Sequence, residues 1–481
     1  MRRMSARGGP PAPKPKRKVA IAPPGPDPFE AGIEAHRAGR LDEAIAFYDQ
    51  AIAKGLRASG ALTNIGIILR HRRRFAAAAA AHRKALELSP DDPGILSNLG
   101  NALKDDGRFD EAIAIKHRVI ELSGETSETL HSLGIALRDA GRLDEADAAF
   151  ARALALKPDD PEIRFNLALT QLHLENFASG WQHYEARWQL ERQKKRAFAQ
   201  PWWHGGPFLG RTLLLFAEQG FGDTIQFIRF GPQVKALGGK VVLECQPELM
   251  RLMRSAEGID ELVVRGTPEA EAMAASADLV CPLASLPGIF RASLTEPQGR
   301  VPYLAPPPGT GRKFAPLLAR ARGRLKVGIV WSGSITFSNN ANRSAGLEPY
   351  LPLAGVPGVQ LIGLQKGPRL DELKALVTGS LILDAGPLLE DFADTAALIQ
   401  ELDLVLMTDS AVAHLTGALG RPIWVMLMHH PDWRWLRDRP DCPWYPSARL
   451  FRQRTPRDWE GVFDEVGREL ARLAASRNVE T

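Results

Sequence analysis

Residues 39–52, GRLDEAIAFYDQAI, return in close variants at 107–120 (GRFDEAIAIKHRVI) and at 141–154 (GRLDEADAAFARAL). The period is 34 residues, and five copies are marked by Leu41, Phe75, Phe109, Leu143 and Phe177. A unit of this length cannot bury an apolar face alone and is stabilised by stacking on its neighbours. The repeat therefore predicts stacked pairs of antiparallel helices.

Small residues recur in the same phase as these copies. The glycines are Gly66, Gly100 and Gly134, and the alanines are Ala44, Ala78, Ala112 and Ala146. Side chains this small let the two helices of a pair approach closely. The period, the Leu-Gly pair and the small alanine resemble the tetratricopeptide repeat. We expect a helical solenoid over residues 28–192, either as a binding surface for a polypeptide or as a spacer.

Composition places the chain among ordinary globular proteins. Of its 481 residues, 44% are hydrophobic and 24% charged, and no apolar run approaches the ~18–20 residues that span a bilayer. The basic start lacks the apolar stretch of a secretory signal. The three cysteines are widely spaced and form no CxxC pair. We expect a cytoplasmic protein without a transmembrane segment, a disulfide framework or a zinc ribbon.

The positive charge is concentrated in one segment. The formal net charge is +5, but residues 1–18 hold seven basic and no acidic residues, which leaves −2 for the rest. A near-neutral body does not attract nucleic-acid phosphates, so no nucleic-acid partner is expected. Because residues 1–27 are also rich in proline, we expect a disordered tail there.

After the repeats the pattern changes to short apolar runs that alternate with helical stretches, which predicts parallel sheets covered on both faces. The fold class is thus α + α/β. One set of predicted strands covers 211–217, 240–245, 261–264 and 277–283, and a second covers 325–331, 360–364, 381–383, 404–407 and 422–428. A proline-rich stretch at 301–311 separates them, so we place two Rossmann-like domains at 205–305 and 320–475.

The first of these domains carries a glycine-bearing loop between a strand and a helix. The loop contains Gln219, Gly220, Gly222 and Asp223. Two glycines allow a ligand to approach the backbone closely, and Asp223 is either a catalytic carboxylate or a cap of the helix.

Loops after strands of the second domain contain residues suited to a phosphate. Ser332 and Gly333 precede a polar segment with Arg343, whose guanidinium can fork onto a phosphate. Gln365 and Lys366 end another strand, and Lys366 offers a cation for a leaving diphosphate. Thr408, Asp409 and Ser410 precede a helix whose amino end suits an anion, and His414 lies one turn further on.

The sequence lacks the motifs of several other enzyme classes. The sequence has no GxxxxGK[ST], HExxH or GxSxG, which argues against P-loop, zincin and serine-hydrolase chemistry. No histidine or cysteine cluster has metal-ligand spacing, so no metal and no cofactor are expected. The aromatic segments at 181–188 and 202–203 are interpreted as the seam between the solenoid and the next domain. The cluster at 432–435 is interpreted as packing in the core or at a domain seam.

Taken in order, the strings resemble bacterial tetratricopeptide-repeat glycosyltransferases, whose catalytic half is similar to the heptosyltransferase family. In general design they also resemble the O-linked N-acetylglucosamine transferases. The strings that carry the resemblance are GWQHYEARW (180–188), GRTLLLFAEQGFGDTIQF (210–227), KVGIVWSGS (326–334), LQKG (364–367), DTAALIQELDLVLMTDSAVAHLTGALGRPIW (394–424), DWRWLRDR (432–439) and RLFRQ (449–453). Residues 335–341 differ from the family's sequences, which carry more charged residues in this stretch.

This resemblance implies a GT-B fold, with an acceptor-side domain at 205–305 and a nucleotide-sugar domain at 320–475. It implies a metal-independent, inverting transfer of a sugar from a nucleotide-sugar donor to an acceptor, expected to be a protein held by the repeats. Asp223 would be the base. Donor contacts would come from Ser332, Gly333, Arg343, Gln365, Lys366, Thr408, Asp409, Ser410 and His414. The alternatives are a non-catalytic adaptor with a degenerate nucleotide-binding module, and a transferase that acts on a saccharide of lipopolysaccharide.

Overall fold

A computed structural model describes residues 27–190, 197–293, 299–334, 340–376 and 381–477. Residues 1–26 of the tail predicted to be disordered lie outside the described residues. Residues 335–339, in the stretch that differs from the resembling family, lie outside them as well. The described chain forms two compact units, with the first ending at Arg108 and the second beginning at Phe109. The predicted domain boundaries near 192, 205, 305 and 320 stay predictions.

Helical hairpins make up the first part of the chain and confirm the predicted tetratricopeptide repeats. The helices are α1 (Pro28–Arg37), α2 (Leu41–Ala53), α3 (Ala58–His71), α4 (Phe75–Leu88), α5 (Pro93–Asp105), α6 (Phe109–Ser123), α7 (Ser127–Asp139), α8 (Leu143–Leu156), α9 (Pro161–His173) and α10 (Phe177–Tyr184). In the first unit α1 packs on α2 and α3 on α4, and in the second α7 packs on α8 and α9 on α10.

Local sequence explains where these helices begin. Asp92 caps α5 by accepting hydrogen bonds from the backbone N–H groups of Gly94 and Ile95 at 2.8 and 3.0 Å. Pro93 follows as the first helical residue, where its missing N–H costs nothing. Asp160 and Pro161 begin α9 in the same way. The same start signal therefore recurs two repeat periods later in the chain.

The periodic glycines have a steric reason. A Cβ added to Gly134 would lie 2.7 Å from the ring of Phe150, which projects from the second helix of the same hairpin. In the first unit a Cβ on Gly32 or Gly66 would lie 2.6 or 2.5 Å from the ring of Tyr48 or His82. Glycine on the first helix thus makes room for a large side chain on the second.

The rest of the chain alternates strands and helices, which confirms the predicted parallel α/β region. The strands are β1 (Thr212–Phe216), β2 (Lys240–Cys245), β3 (Glu261–Val264), β4 (Leu279–Pro282), β5 (Leu325–Val330), β6 (Val359–Gly363), β7 (Ile382–Asp384), β8 (Leu404–Thr408), β9 (Ile423–Leu427) and β10 (Ala448–Arg452). The helices are α11 (Phe221–Phe227), α12 (Gly231–Ala236), α13 (Met250–Met253), α14 (Pro268–Ser276), α15 (Leu286–Ile289), α16 (Ala315–Ala319), α17 (Asn340–Arg343), α18 (Leu370–Lys374), α19 (Phe392–Gln400), α20 (Ala411–Ala418) and α21 (Trp459–Arg477).

These strands form two parallel sheets. The first has the order β3-β2-β1-β4, and the second has the order β10-β9-β8-β5-β6-β7. Leu214 in β1 pairs with Val242 and Val280, and Ile329 in β5 pairs with Gly363 and Leu406. Within each sheet the loops after the strands therefore meet at one edge, where ligands of open α/β sheets bind.

Two arginines join the two sheet regions. Arg229, which follows α11, is 2% exposed and donates to the carbonyl oxygen of Trp444 at 3.1 Å and to the hydroxyl of Tyr303 at 3.0 Å. Arg251 of α13 bonds Asp391 and Asp394 at the start of α19, at 2.9 and 3.3 Å. Both sets of hydrogen bonds connect the first sheet region to the second.

The last hairpin also packs on the α/β region, as the aromatic segments predict. Trp181 of α10 donates its indole N–H to the carbonyl oxygen of Ala292 at 3.1 Å, and its ring meets that of Trp433 edge-on at 5.2 Å. Trp188 and Trp202 contact each other in the same manner at 5.0 Å.

Two elements differ from the sequence prediction. The helix expected after the glycine-bearing loop is interrupted by a 3₁₀ turn at Ile228–Phe230, and α12 begins beside Pro232. The strand β10 was not predicted, because Arg449 and Arg452 interrupt its apolar residues; charged side chains of this kind are common on an edge strand.

All three cysteines are buried and none is in a disulfide. In the part of the chain that the structure describes, none of the helices has the length and apolarity that crossing a membrane requires.

We predict that Gly134→Ala destabilises the protein by about 1–3 kcal/mol, because its methyl group overpacks against Phe150. The matched control is Gly467→Ala in α21, where a Cβ would lie at an ordinary 3.5 Å from Leu353. This control should stabilise by about 0.5–1 kcal/mol, since alanine favours the helix. Urea unfolding measures both, and a Gly134→Ala variant as stable as the natural protein would contradict the steric account.

Candidate functional site

The glycine loop leads directly from β1 into α11. Asp223 lies at the third position of α11, not at the cap, which is Gly220. One carboxylate oxygen of Asp223, Oδ2, accepts the backbone N–H of Gly220 at 3.0 Å. This hydrogen bond closes the first turn and fixes the side chain at the carboxyl edge of the first sheet.

Gly222 brings this loop against the second sheet region. A Cβ at Gly222 would lie 2.7 Å from Cδ2 of His414 and 3.4 Å from Cα of Ala411. The starts of α11 and α20 are therefore in direct contact, and glycine is needed there for the close approach. The loops predicted for acceptor and donor meet at this point.

Arg434 completes the contact, although the sequence had placed it in a packing cluster. It lies in a 3₁₀ turn at Trp433–Trp435. Its Nη2 atom donates to Oδ1 of Asp223 at 2.6 Å, and Nη1 donates to Oδ1 of Asp432 at 2.8 Å. Its Nε atom donates to Oε1 of Gln226 at 2.8 Å. Arg434 thus joins α11 to the loop after β9.

Burial and charge act in opposite directions on these carboxylates. The side chains of Asp223 and Arg434 are 23% and 10% exposed. Burial raises the pKa of Asp223 above its ordinary value, and Asp432 adds to this, while Arg434 opposes it. At Asp432 burial also disfavours the charged form, but Arg434 and the backbone outweigh it, so its pKa is lowered. Because its pKa is lowered, Asp432 favours the ionised form. Asp223, whose pKa is raised, accepts a proton more readily.

The last helical repeat supports the glycine loop from behind. Gln219 donates its side-chain amide to the hydroxyl of Tyr184 at 2.8 Å. Arg187, 1% exposed, bonds Glu218 at 3.2 Å and the hydroxyl of Ser285 at 2.7 Å. Because these contacts come from the end of α10 and the turn after it, the repeats help to position the loop.

Glu218 is a titratable residue of the loop that the sequence analysis did not select. Its side chain is 6% exposed. Burial raises the pKa of Glu218 to about 7, with Arg187 opposing the shift. The raised pKa of Glu218 can be seen only in the folded chain, because it results from burial, and the opposing Arg187 lies 31 residues away in sequence.

Two hydroxyl groups lie at the amino end of α20. Thr408 is fully buried and Ser410 is 8% exposed. The hydroxyl oxygens of both have no hydrogen-bond partner among the described residues, and Ser410 does not cap the helix with its side chain. A buried hydroxyl without a partner costs about 1–3 kcal/mol. A ligand with acceptor oxygens would remove this cost at a helix end that already favours anions.

The neighbouring Asp409 and His414 are also buried. Burial raises the pKa of Asp409, which Arg343 opposes from a 3.7 Å ion-pair distance. Burial lowers the pKa of His414 to about 3, so its ring is neutral. The His414 ring stacks on Trp435 at 5.3 Å, and its Nδ1 atom lies 2.9 Å from the hydroxyl of Tyr445. His414 is therefore held rigidly at the contact with Gly222.

The loop after β5 is held by hydrogen bonds within itself. Ser332 is buried, and its hydroxyl accepts from the side-chain amide of Asn340 at 3.3 Å. The backbone N–H of Gly333 donates to the hydroxyl of Ser344 at 3.3 Å. A Cβ on Gly333 would lie 2.8 Å from Nη2 of Arg343, so glycine makes room for that guanidinium.

Gln365 and Lys366 hold other loops in place. The amide oxygen of Gln365 accepts the backbone N–H groups of Trp331 and Ser332 at 3.2 and 3.0 Å. The ammonium of the exposed Lys366 donates to the carbonyl oxygens of Leu389 and Glu390. Both residues lie at the carboxyl edge as predicted, but their polar atoms are engaged with the backbone.

Among the described ranges there is no group of three or more His, Cys, Asp or Glu side chains that could hold a metal ion.

Comparison with known families identifies the repeats. Residues 29–93 and 91–159 match models of the tetratricopeptide repeat. The solved structure of MamA 41-end from Desulfovibrio magneticus RS-1 is 18% identical and covers 35% of this chain and 96% of its own, with a TM-score of 0.33. The thermophilic TPR protein TTC0263 of Thermus thermophilus is 19% identical and covers 34% of this chain and 91% of its own, with a TM-score of 0.30.

A curated relative extends beyond the repeats. Protein FlbA of Caulobacter vibrioides is 29% identical over 347 residues, which cover 66% of this chain and 57% of FlbA. The aligned share is larger than residues 1–190, so it reaches the α/β region. This chain spans less than two thirds of the length of FlbA.

We predict that Glu218→Gln changes the pH dependence of stability. A carboxyl whose pKa rises from 4.5 to about 7 on folding stabilises the fold below pH 4.5 and loses that contribution as the pH rises through 7. The stability difference between variant and natural protein should therefore shift in favour of the variant by up to about 3 kcal/mol from pH 4.5 to 8. Urea unfolding across this range is the measurement, and a pH-independent difference would exclude titration of Glu218.

Proposed function

We propose that this protein is an inverting glycosyltransferase of GT-B architecture that moves a sugar from a nucleotide-sugar to a polypeptide. One observation carries the proposal: Asp223 lies in the first turn of α11, which contacts the start of α20, where the hydroxyl of Ser410 is buried without a partner among the described residues. A proton acceptor on one sheet region is thus one residue from the contact with a helix end on the other that suits an anion. That pairing is what displacement of a nucleoside diphosphate requires.

The donor's diphosphate would bind at the amino end of α20. The backbone N–H groups there and the hydroxyls of Thr408 and Ser410 would donate to phosphate oxygens. Arg343 and Arg434 supply positive charge beside Asp409 and Asp223. Lys366 could contribute only after leaving the carbonyl oxygens of Leu389 and Glu390.

The reaction would be a single displacement. Asp223 takes the proton of the acceptor hydroxyl as its oxygen forms a bond to the anomeric carbon. The bond from that carbon to the phosphate oxygen breaks on the opposite face, and the electron pair leaves with the nucleoside diphosphate. The raised pKa of Asp223 suits this role, because burial favours the protonated carboxyl. Configuration at the anomeric carbon is inverted.

The tetratricopeptide repeats would recruit the acceptor. Stacked helical hairpins commonly present extended binding surfaces, and Tyr184 and Arg187 connect the last repeat to the glycine loop. A polypeptide acceptor would account for the presence of the repeats, whereas a free saccharide acceptor would leave them unexplained.

A second candidate is a non-catalytic adaptor, in which the α/β region only binds a nucleotide or a partner. It is favoured by the engagement of Gln365 and Lys366 with the backbone of neighbouring loops.

We predict that Ser410→Ala weakens binding of a nucleoside diphosphate by about tenfold or more, since a hydrogen bond to a charged group contributes about 1.5–3 kcal/mol. UDP, GDP, ADP and CDP are each titrated by calorimetry. The matched control is Ser447→Ala, because the hydroxyl of Ser447 is likewise buried without a partner but precedes β10, at the opposite edge of the sheet. Equal affinities for the Ser410 variant and the natural protein would contradict the site.

We also predict that Asp223→Asn abolishes transfer while nucleoside diphosphates still bind, because the amide cannot accept the acceptor's proton. Intact-mass analysis of cellular proteins, with the gene deleted and then restored as natural or variant, measures transfer. A sugar-sized mass increase on one protein should return only with the natural gene. Its return with the variant would remove Asp223 from the role of base, and its absence in all strains would favour the adaptor.

A further inference from the structure

Arg434 is held so that one corner of its guanidinium faces Asp223. Nε and Nη1 are fixed by Gln226 and Asp432, each at 2.8 Å. The guanidinium lies over aromatic rings, with its carbon 4.4 Å from the ring centre of Trp433 and 5.6 Å from that of Phe227. Only Nη2 points to Asp223, at 2.6 Å.

The turn that carries Arg434 also contacts α20, because the ring of the next residue, Trp435, stacks on His414 at 5.3 Å. Burial is the main influence on the pKa of both Asp409 and His414, but Arg434 lowers the pKa of each. These residues flank Ser410. One cation therefore acts both on the proton acceptor and on the helix end proposed for the diphosphate.

We propose that Arg434 is a positioning residue shared between Asp223 and the donor's diphosphate, an inference that rests on the proposed function. Before transfer, Nη2 neutralises and aims the Asp223 carboxylate. When the acceptor's proton arrives on Asp223, that carboxylate loses its negative charge and Nη2 loses its anionic partner. The positive charge then acts on the diphosphate as the bond from the anomeric carbon to oxygen breaks and negative charge accumulates there.

Asp432 and Gln226 keep the guanidinium in place throughout. Asp432 stays ionised because its pKa is lowered, and Gln226 is uncharged and fully buried. Neutralisation of Asp223 thus changes the charge balance around Arg434 without releasing its anchors. Proton transfer and departure of the leaving group are coupled electrostatically through one side chain.

The variant Asp223→Asn imitates the protonated carboxyl because its side chain is uncharged. The coupling between Asp223 and the diphosphate can therefore be measured as a change in nucleotide affinity. At pH 8 the Kd of UDP, GDP, ADP and CDP is determined by calorimetry for the natural protein, Asp223→Asn, Arg434→Gln and the double variant. We expect Asp223→Asn to tighten binding at least about threefold when Arg434 is present, and to have no effect in the Arg434→Gln background. A difference of this kind between the two backgrounds measures the interaction of the two residues.

Controls separate this role from a structural one. Arg434→Met, whose apolar stem can pack on Trp433, replaces Arg434→Gln if that variant does not unfold cooperatively. Asp441→Asn removes a carboxylate that pairs with Arg439 at 2.7 Å outside the site, and should leave affinity unchanged. Arg434→Lys keeps the charge and should preserve the response to Asp223→Asn.

The outcomes distinguish the inference from the proposed function. Equal tightening by Asp223→Asn in both backgrounds would show direct repulsion by Asp223 and overturn the shared role of Arg434. No tightening in the natural background would overturn it as well. Failure of all four nucleotides to bind the natural protein would instead overturn the proposed function.

Discussion

The ion pair between Asp223 and Arg434 connects the two sheet regions at the point where their loops meet. Asp223 comes from the first helix after β1, and Arg434 from the turn after β9. A carboxylate and a guanidinium at 2.6 Å, both largely buried, are stable only when their remaining polar atoms are satisfied. Gly220, Gln226 and Asp432 meet this requirement, and they fix the geometry on which the proposed chemistry depends.

The helical repeats contribute to this geometry through their last hairpin. Arg187 is almost fully buried and contacts both Glu218 and Ser285, so the turn after α10 reaches the carboxyl edge of the first sheet. Breaking one side of such a buried pair leaves an unpaired charge, which is costly. The last hairpin is therefore built into the α/β region, and it supports the glycine loop from that side.

The fold was largely predictable because its signals are local. The strands β2 and β3 have the predicted bounds, since their apolar runs are short and set off by turns. The hairpins follow from a 34-residue period that repeats glycine opposite a large side chain. The edge strand β10 escaped prediction because it pairs only with β9 and its arginines interrupt the apolar pattern.

The candidate site was only partly predictable because its contacts are distant in sequence. Asp223, Ser410 and His414 follow from motifs, and the fold brings the starts of α11 and α20 into contact at Gly222. Arg434 bonds Asp223 across 211 residues, and nothing in the string DWRW distinguishes a site arginine from a packed one. Conversely, Gln365 satisfies buried backbone N–H groups, a need that only the folded chain reveals.

The central claim is that a nucleotide-sugar binds at the carboxyl edge of the sheets, where the glycine loop meets the start of α20. Hydrogen–deuterium exchange of the intact protein with a panel of nucleotide-sugars tests it directly, because amides closed off by a ligand exchange more slowly. We expect one donor to slow exchange in peptides covering residues 218–227 and 408–415 together, with residues 39–52 unaffected. Unchanged exchange in both peptides for every donor, or protection confined to the repeats, would contradict the account.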